Sequence, residues 1–225
     1  MKRSIIRRMA TTMRSVERVS LLIQRMPHWQ SVIPVCIFRL KPWFTIIKLG
    51  SEDVVTVWMG ANDIFEAALT NPLTSPVVVK QVAQVFTNEI AALAKTGAKI
   101  YILNIPDLGL IPLGLSTSDG GALLSNLTII FNKGIAGLAK VKNISLVDSN
   151  ALMAQLLSAN QFDTTEIYCP AIIDPTHICG DSLTNPELVN SPQVPYFFAD
   201  PIHPSFAAHK VIGQAIQKLI HKKTQ

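Results

Sequence analysis

Closely spaced cysteine pairs and long apolar runs are both missing from this sequence. Its 225 residues include three cysteines, Cys36, Cys169 and Cys179, and no two of them have the C-x-x-C spacing that metal ligands usually show. Apolar runs such as 54–59 stop at strand length, short of the ~18 to 20 residues that cross a bilayer. We therefore expect one compact, soluble domain without a metal site.

Arginine is missing from most of the chain. All seven arginines lie at or before Arg39, and up to Gly50 ten Lys and Arg residues face the single acid Glu17. From Ser51 onward ten lysines face 14 acidic residues. This change in composition divides the chain into an atypical basic segment, residues 1–50, and a domain formed by residues 51–225.

The basic segment could bind nucleic acid or an anionic membrane surface, or act as an organelle transit peptide. It lacks the interleaved aromatics and the recognition-helix pattern of nucleic-acid binders, so we expect no nucleic-acid partner and at most peripheral membrane contact. Its positive start is not followed by an apolar core of ~7 to 15 residues, and no intact secretion signal is visible.

Short apolar runs alternate with amphipathic stretches after residue 50, which predicts parallel strands joined by crossover helices. The predicted strands are Val54–Met59, Lys99–Asn104 and Asn143–Asp148. The predicted helices are Ser75–Lys95, Gly121–Ala139, Ala151–Ala159 and Phe206–His221. Gln161–Pro195 is predicted to be a region of turns. Three strands are few for a doubly wound sheet, and before residue 51 only Val32–Leu40 is strand-like.

Polar residues follow the first predicted strand in the sequence G-A-N-D, residues 60–63. Ligands of open α/β sheets bind at the carboxyl ends of the strands. Gly60 permits a tight turn there, and the amide of Asn62 could donate to a developing oxyanion. Alternatively, Asn62 and Asp63 cap the turn that follows.

A second polar group, D-P-I-H-P-S at residues 200–205, precedes the closing helix. Pro201 and Pro204 stiffen this segment, so that Asp200 and His203 can face each other as carboxylate and imidazole. Such a carboxylate fixes the tautomer of the imidazole, which can then act as a general base. The alternative is that Asp200 or Ser205 caps the helix.

Three segments in this order resemble the SGNH (G-D-S-L) hydrolases. W-M-G-A-N-D-I-F at 58–65 is similar to the G-x-N-D block of that family, and D-P-I-H-P at 200–204 to its D-x-x-H block. N-I-P-D-L-G-L at 104–110 resembles a turn of the bacterial lipase, phospholipase and acyltransferase-like branch. The resemblance implies a three-layer α/β/α, flavodoxin-like fold with a parallel sheet. It also implies hydrolysis of carboxylic esters, notably lipid acyl esters, through an acyl-enzyme without metal or cofactor.

The resemblance also implies a role for each matching residue. Asn62 and Gly60 would form part of the oxyanion hole, His203 would be the general base and Asp200 its partner. Acyl transfer to an acceptor other than water would use the same residues. Cys169 and Cys179 lie in a loop that fits this branch, and their spacing allows either a small disulfide or two free thiols.

The family's first block, G-D-S-[LN], carries the nucleophilic serine, and its second carries a glycine N–H; we identify neither block and no nucleophile in this chain. The early serines Ser4, Ser15, Ser20, Ser31 and Ser51 do not follow a strand in a glycine turn. We therefore expect a sheet that is incomplete at its N-terminus and a truncated, inactive enzyme. The alternative is a non-catalytic or lipid-binding member of the fold. Members of the family are usually secreted or in the cell envelope, but the compartment of this chain stays open.

Overall fold

A parallel three-stranded sheet is the centre of the computed structural model, which describes residues 49–167 and 196–224. Its strands are β1 (Val54–Val57), β2 (Lys99–Leu103) and β3 (Ile144–Val147), in the order β1-β2-β3. Both pairings are parallel, with Val55 opposite Ile100 and Ile102 opposite Leu146. The three predicted strands and their parallel arrangement are confirmed, and each is one or two residues shorter than predicted.

The central strand β2 is buried because its apolar residues face both sides of the sheet. Ile100 and Ile102 belong to the large core, while Tyr101 and Leu103 belong to a smaller cluster on the opposite face. This alternation is the two-residue period of a strand, and a continuous apolar run is typical of a parallel strand covered on both sides. The apolar run in K-I-Y-I-L therefore predicted a strand that is covered on both faces of the sheet.

Strand β1 differs from the prediction of a buried strand. Only Val57 is buried, and Val54 is 45% exposed. Among the described strands, β1 has a neighbour on one side only, which is β2. A strand at an edge leaves more of its side chains accessible than a central strand.

Helices fill the connections between the strands. They are α1 (Ala61–Thr70), α2 (Ser75–Ala94), α3 (Pro112–Leu115), α4 (Ala122–Ile135), α5 (Ser149–Ser158) and α6 (Phe206–Thr224), and a 3-10 helix (Ala136–Lys140) continues α4. The four predicted helices are confirmed within four residues at each end. Helices α1 and α3 were not predicted.

The helices cover both faces of the sheet, as the predicted three-layer architecture requires. Helices α2 and α4 pack together on one face, where the rings of Phe86 and Phe131 meet edge to face with their centroids 5.6 Å apart. On the other face, Ile216 and Ile220 of α6 pack against the cluster that contains Tyr101. The fold is therefore the α/β/α arrangement expected from the sequence.

Residues Ala122–Lys140 correct one expectation drawn from the sequence. By length and composition this stretch is apolar enough to cross a membrane, whereas the sequence analysis predicts no such segment. Its inward side chains Leu127, Phe131 and Ile135 are completely buried in the core. A core helix of a folded domain passes the same test, because such a helix is apolar on its packed face.

A second, two-stranded parallel sheet precedes the closing helix. It consists of β4 (Asp163–Ile167) and β5 (Tyr196–Phe198). The prediction of turns throughout Gln161–Pro195 is therefore wrong for β4, whose polar sequence D-T-T-E-I becomes a strand through pairing with a distant segment. The predicted strand Val32–Leu40 and the three cysteines lie outside the described residues.

Candidate active site

Asp200 and His203 form a close carboxylate–imidazole pair. Asp200 Oδ2 lies 2.7 Å from His203 Nδ1, and Asp200 Oδ1 accepts hydrogen bonds of 2.7 Å from the backbone N–H groups of Ile202 and His203. Within the described residues, His203 Nε2 makes no hydrogen bond, and the imidazole is 68% exposed. Three hydrogen-bonding contacts therefore hold the carboxylate, and Nε2 of the imidazole is available to a substrate.

Two backbone hydrogen bonds join the two ends of the segment that contains the pair. Ala199 N donates to His203 O at 2.8 Å, and Ser205 N donates to Phe197 O at 2.7 Å. The hydroxyl of Ser205 donates to Tyr196 O at 2.7 Å. Residues 197–205 therefore form a compact turn that presents the pair between β5 and α6.

The alternative role in helix capping applies to Ser205 and not to Asp200. Ser205 immediately precedes α6, and its hydroxyl oxygen accepts a hydrogen bond of 3.2 Å from Ala208 N. Both oxygens of Asp200 are used within its own turn, on Ile202 and His203.

The pair shifts the proton affinity of both groups. Burial by itself raises the pKa of Asp200, but the hydrogen bonds from His203 and Ile202 outweigh it and hold that pKa below its usual range. The hydrogen bond to Asp200 raises the pKa of His203 against the opposing effect of burial. The carboxylate is therefore charged at neutral pH, and the imidazole is a stronger base than a free histidine.

Gly60 occupies a position that only glycine fits. Its φ is +124°, a backbone conformation that residues with a Cβ rarely adopt. A Cβ at this position would lie 2.5 Å from Cζ of Phe131, which is completely buried in α4. The end of β1 therefore turns into α1 directly against the core; the sequence predicted a tight turn at Gly60 but not its packing on Phe131.

Asn62 lies in the first turn of α1 with its side chain exposed. The N-cap of this helix is Gly60, so the alternative in which Asn62 and Asp63 precede and cap a turn does not describe it. The Asn62 amide makes no hydrogen bond to any residue in the described ranges. Asp63, in contrast, is buried at 5% exposure. Asn62 is thus a polar group that is not used by the fold.

The N-I-P-D-L-G turn ties the carboxyl ends of β2 and β3 together. Asn104 Nδ2 donates to Asp148 Oδ1 at 2.9 Å, and Asn104 Oδ1 accepts from Asn150 N at 2.9 Å. Ile105 exchanges two hydrogen bonds with the side chain of Asn132, at 2.9 and 2.7 Å. The motif was recognised in the sequence without a role for Asn104, because its partners lie more than 40 residues away.

A shallow surface depression is lined by Trp58, Ser149, Leu152, Met153 and Ile212, and it has no room for a water molecule. None of Gly60, Asn62, Asp200 and His203 lines it. No hydrogen bond joins Gly60 or Asn62 to the acid–base pair in the described part of the chain. In residues 49–167 and 196–224, no group of three or more His, Cys, Asp or Glu side chains is placed to hold a metal ion.

The tetrapeptide G-D-S-L is present in the sequence, which corrects the expectation that this chain has no such block. It is Gly180–Leu183, directly after Cys179. In chain order it follows the G-x-N-D block and precedes the D-x-x-H block, whereas the family's nucleophile block comes first. These residues lie outside the described ranges.

Comparison of the whole sequence with known proteins bears on its family. No curated protein matches the sequence. The family model of GDSL-like lipases/acylhydrolases matches residues 10–216, which is most of the chain. With a parallel α/β/α fold, a glycine turn after β1 and an aspartate–histidine pair before the last helix, this chain belongs to the family of GDSL-like lipases/acylhydrolases.

Proposed function

We propose that this chain hydrolyses carboxylic esters, and lipid acyl esters in particular, with His203 as general base and Asp200 as its partner. The observation that carries the proposal is the 2.7 Å contact between Asp200 Oδ2 and His203 Nδ1 on an imidazole that is open to solvent. A base must reach the proton that it removes, and the exposed ring meets this condition. Membership of the lipase/acylhydrolase family supports ester hydrolysis as the reaction class.

In this reaction Asp200 keeps the proton of His203 on Nδ1, so that Nε2 can accept one. Nε2 takes the proton of an attacking hydroxyl as its oxygen bonds to the ester carbonyl carbon, and later returns a proton to the departing alkoxide. The amide of Asn62 donates to the oxyanion; one such donor is worth about 3 to 4 kcal/mol in the transition state. Transfer of the acyl group to another acceptor would use the same groups.

The surface around the pair supports an apolar acyl substrate. Leu110 precedes α3 and Leu115 ends it; they are 46% and 57% exposed, and α3 bonds to the turn that holds His203. Phe206 is 50% exposed and begins α6, three residues after His203. Exposed apolar side chains on segments next to a polar site are typical of binding surfaces for apolar ligands.

A domain that binds acyl esters without hydrolysing them is the second candidate. It is favoured by the position of the single G-D-S sequence, which follows Asn62 in the chain instead of preceding Gly60. Without a nucleophile, binding and transition-state stabilisation alone supply about 10³ to 10⁴ over water, far below a working enzyme. Ser182 is therefore the serine whose removal separates the two candidates.

Hydrolysis of p-nitrophenyl esters with short and long acyl chains by the full-length chain tests the proposal. We expect turnover that is higher for long chains and that His203→Ala reduces to background, while His209→Ala, which removes another exposed histidine, leaves it unchanged. Loss of turnover in Ser182→Ala would make Ser182 the nucleophile. Turnover no greater than that of His203→Ala contradicts the hydrolase; calorimetric binding of a non-hydrolysable ether analogue would then support the second candidate.

A further inference from the structure

The short helix α3 contacts the turn that holds Asp200 and His203. The backbone N–H of Leu113 donates a hydrogen bond of 2.9 Å to the carbonyl oxygen of Pro201, the residue directly after Asp200. In the part of the chain that the structure describes, all other hydrogen bonds of residues 200–203 stay within residues 199–203. Within the described residues, this bond is the one hydrogen bond that joins residues 200–203 to a segment outside residues 199–203.

Glycine contacts fix the position of α3. Gly114 is buried, and a Cβ there would lie 2.7 Å from Gly109 O and even closer to Leu108 O. Gly109 in turn packs so closely on Gly121, at the start of α4, that neither residue has room for a Cβ. The backbones of α3, the N-I-P-D-L-G turn and α4 are thus in direct contact, which only glycine permits.

The N-I-P-D-L-G turn is itself held in place by side chains. Asp107 Oδ1 accepts hydrogen bonds from Gly109 N at 2.9 Å and from the hydroxyl of Ser125 in α4 at 2.6 Å. Thr128 Oγ1 accepts from Leu108 N at 3.3 Å. A continuous series of contacts therefore runs from the core helix α4 through this turn to α3 and on to Pro201.

We propose that α3 positions the general base: Gly114 lets α3 lie against the N-I-P-D-L-G turn, and Leu113 then holds Pro201 so that Asp200 and His203 stay in contact. The inference rests on the proposed function, since it concerns the base of that reaction. The imidazole is 68% exposed and has little packing of its own. The backbone of its turn therefore determines where the ring lies.

Two substitutions test the proposal by NMR titration of the His203 imidazole, which needs no turnover. Gly114→Ala displaces α3, because its Cβ would meet backbone oxygens on the adjacent turn. Leu113→Pro removes the donor together with the leucine side chain that packs on the core, and it breaks no intrahelical hydrogen bond, since N–H groups in the first turn of a helix have no intrahelical partner. Leu113→Ala, which keeps the N–H and shortens the side chain, separates the two effects. In Gly114→Ala and Leu113→Pro we expect the pKa of His203 to shift down towards its ordinary value of about 6.5, because contact with Asp200 is weakened.

Gly137→Ala is the matched control, because a Cβ at Gly137 meets nothing within 4 Å. The signal of His203 is assigned by its loss in His203→Gln, and circular dichroism shows whether each variant is folded. An unchanged His203 pKa in a folded Gly114→Ala or Leu113→Pro variant overturns the proposal. If neither variant folds, hydrogen exchange of the unsubstituted chain decides: slow exchange of the Leu113 amide supports the proposal, and exchange at the rate of an unprotected amide overturns it.

Discussion

The turn with Asp200 and His203 and the turn with Gly60 and Asn62 are built in opposite ways. In the first, the carboxylate is held by groups at most three residues away. In the second, the backbone conformation of Gly60 is set against Phe131, which comes from another helix. The first motif therefore forms its hydrogen bonds within its own sequence and is held from outside by the bond between Leu113 and Pro201, whereas the second acquires its geometry only in the folded core.

Substitution of Gly60 by alanine should have the largest effect on stability. The added Cβ would lie 2.5 Å from the ring of Phe131, at a φ of +124° that alanine disfavours. Overpacking and backbone strain each cost about 1 to 3 kcal/mol, so we expect a loss of about 2 to 5 kcal/mol in the free energy of unfolding. Urea denaturation of the purified variant measures it.

The ring of Phe131 provides an internal check on that loss. Combining Gly60→Ala with Phe131→Leu should cost less than the sum of the two single substitutions, because the smaller side chain makes room for the Cβ. Gly137→Ala, which has free space, should not destabilise the protein. A cost below about 0.5 kcal/mol for Gly60→Ala would falsify the view that this turn depends on the core.

Asn104→Ala should have the next largest effect, because Asn104 joins the ends of two strands through a partner directly after β3 and another on α5. Its side chain bonds to the exposed Asp148 and to the partly buried N–H of Asn150, which lose these partners in the variant. Leaving a partly buried polar group unpaired costs about 1 to 3 kcal/mol. Asn126→Ala, at an exposed position of α4 without such bonds, should change stability little, and equal effects of the two variants would contradict this role.

The sequence predicted those elements whose pattern is determined locally. The continuous apolar run of β2 and the helical stripe of α2 were both identified within two residues of their ends. Helix α1 was missed because its first residues, Ala61–Asp63, were interpreted as a turn after Gly60. Strand β4 was missed because a polar segment such as D-T-T-E-I forms a strand only through its pairing with Tyr196–Phe198.

The same distinction holds for the site. Asp200 and His203 are three positions apart in a segment that Pro201 and Pro204 stiffen, and this pattern predicted their proximity. In the structure the two side chains are in contact. The link from Leu113 to Pro201 joins residues 88 positions apart, and no local pattern indicates it. The role of Gly114 likewise depends on the path of a neighbouring backbone.

Asp200→Asn should change stability by a smaller amount, and in a defined pH range. The pKa of His203 is raised, so its contribution is present below about pH 6.5 and is lost as the pH rises through the higher folded-state pKa. The pKa of Asp200 is lowered, so its contribution is present above about pH 3.8 and is lost as the pH falls through the lower folded-state pKa. The pair therefore stabilises most between these limits.

Because the imidazole is 68% exposed, solvent screens this pair, and we expect a contribution of about 1 kcal/mol or less. The difference in unfolding free energy between the parent and Asp200→Asn should be larger at pH 5 than at pH 9, as urea denaturation at the two values can show. In a His203→Gln background that pH dependence should vanish. If it persists there, its source is a group other than His203.

Asn62→Ala should have the smallest effect on stability, because the Asn62 side chain is exposed and makes no hydrogen bond in the described ranges. We expect a change within about 0.5 kcal/mol in urea denaturation. Asn88→Ala, which removes an amide whose oxygen accepts a hydrogen bond from Gln84, provides a comparison on a neighbouring helix. A loss above about 1 kcal/mol for Asn62→Ala would mean that Asn62 supports the fold. A small loss in unfolding free energy would mean that the fold does not need the Asn62 amide, which is then available for the oxyanion. Gly60, two residues earlier, differs because the packing of the core requires it.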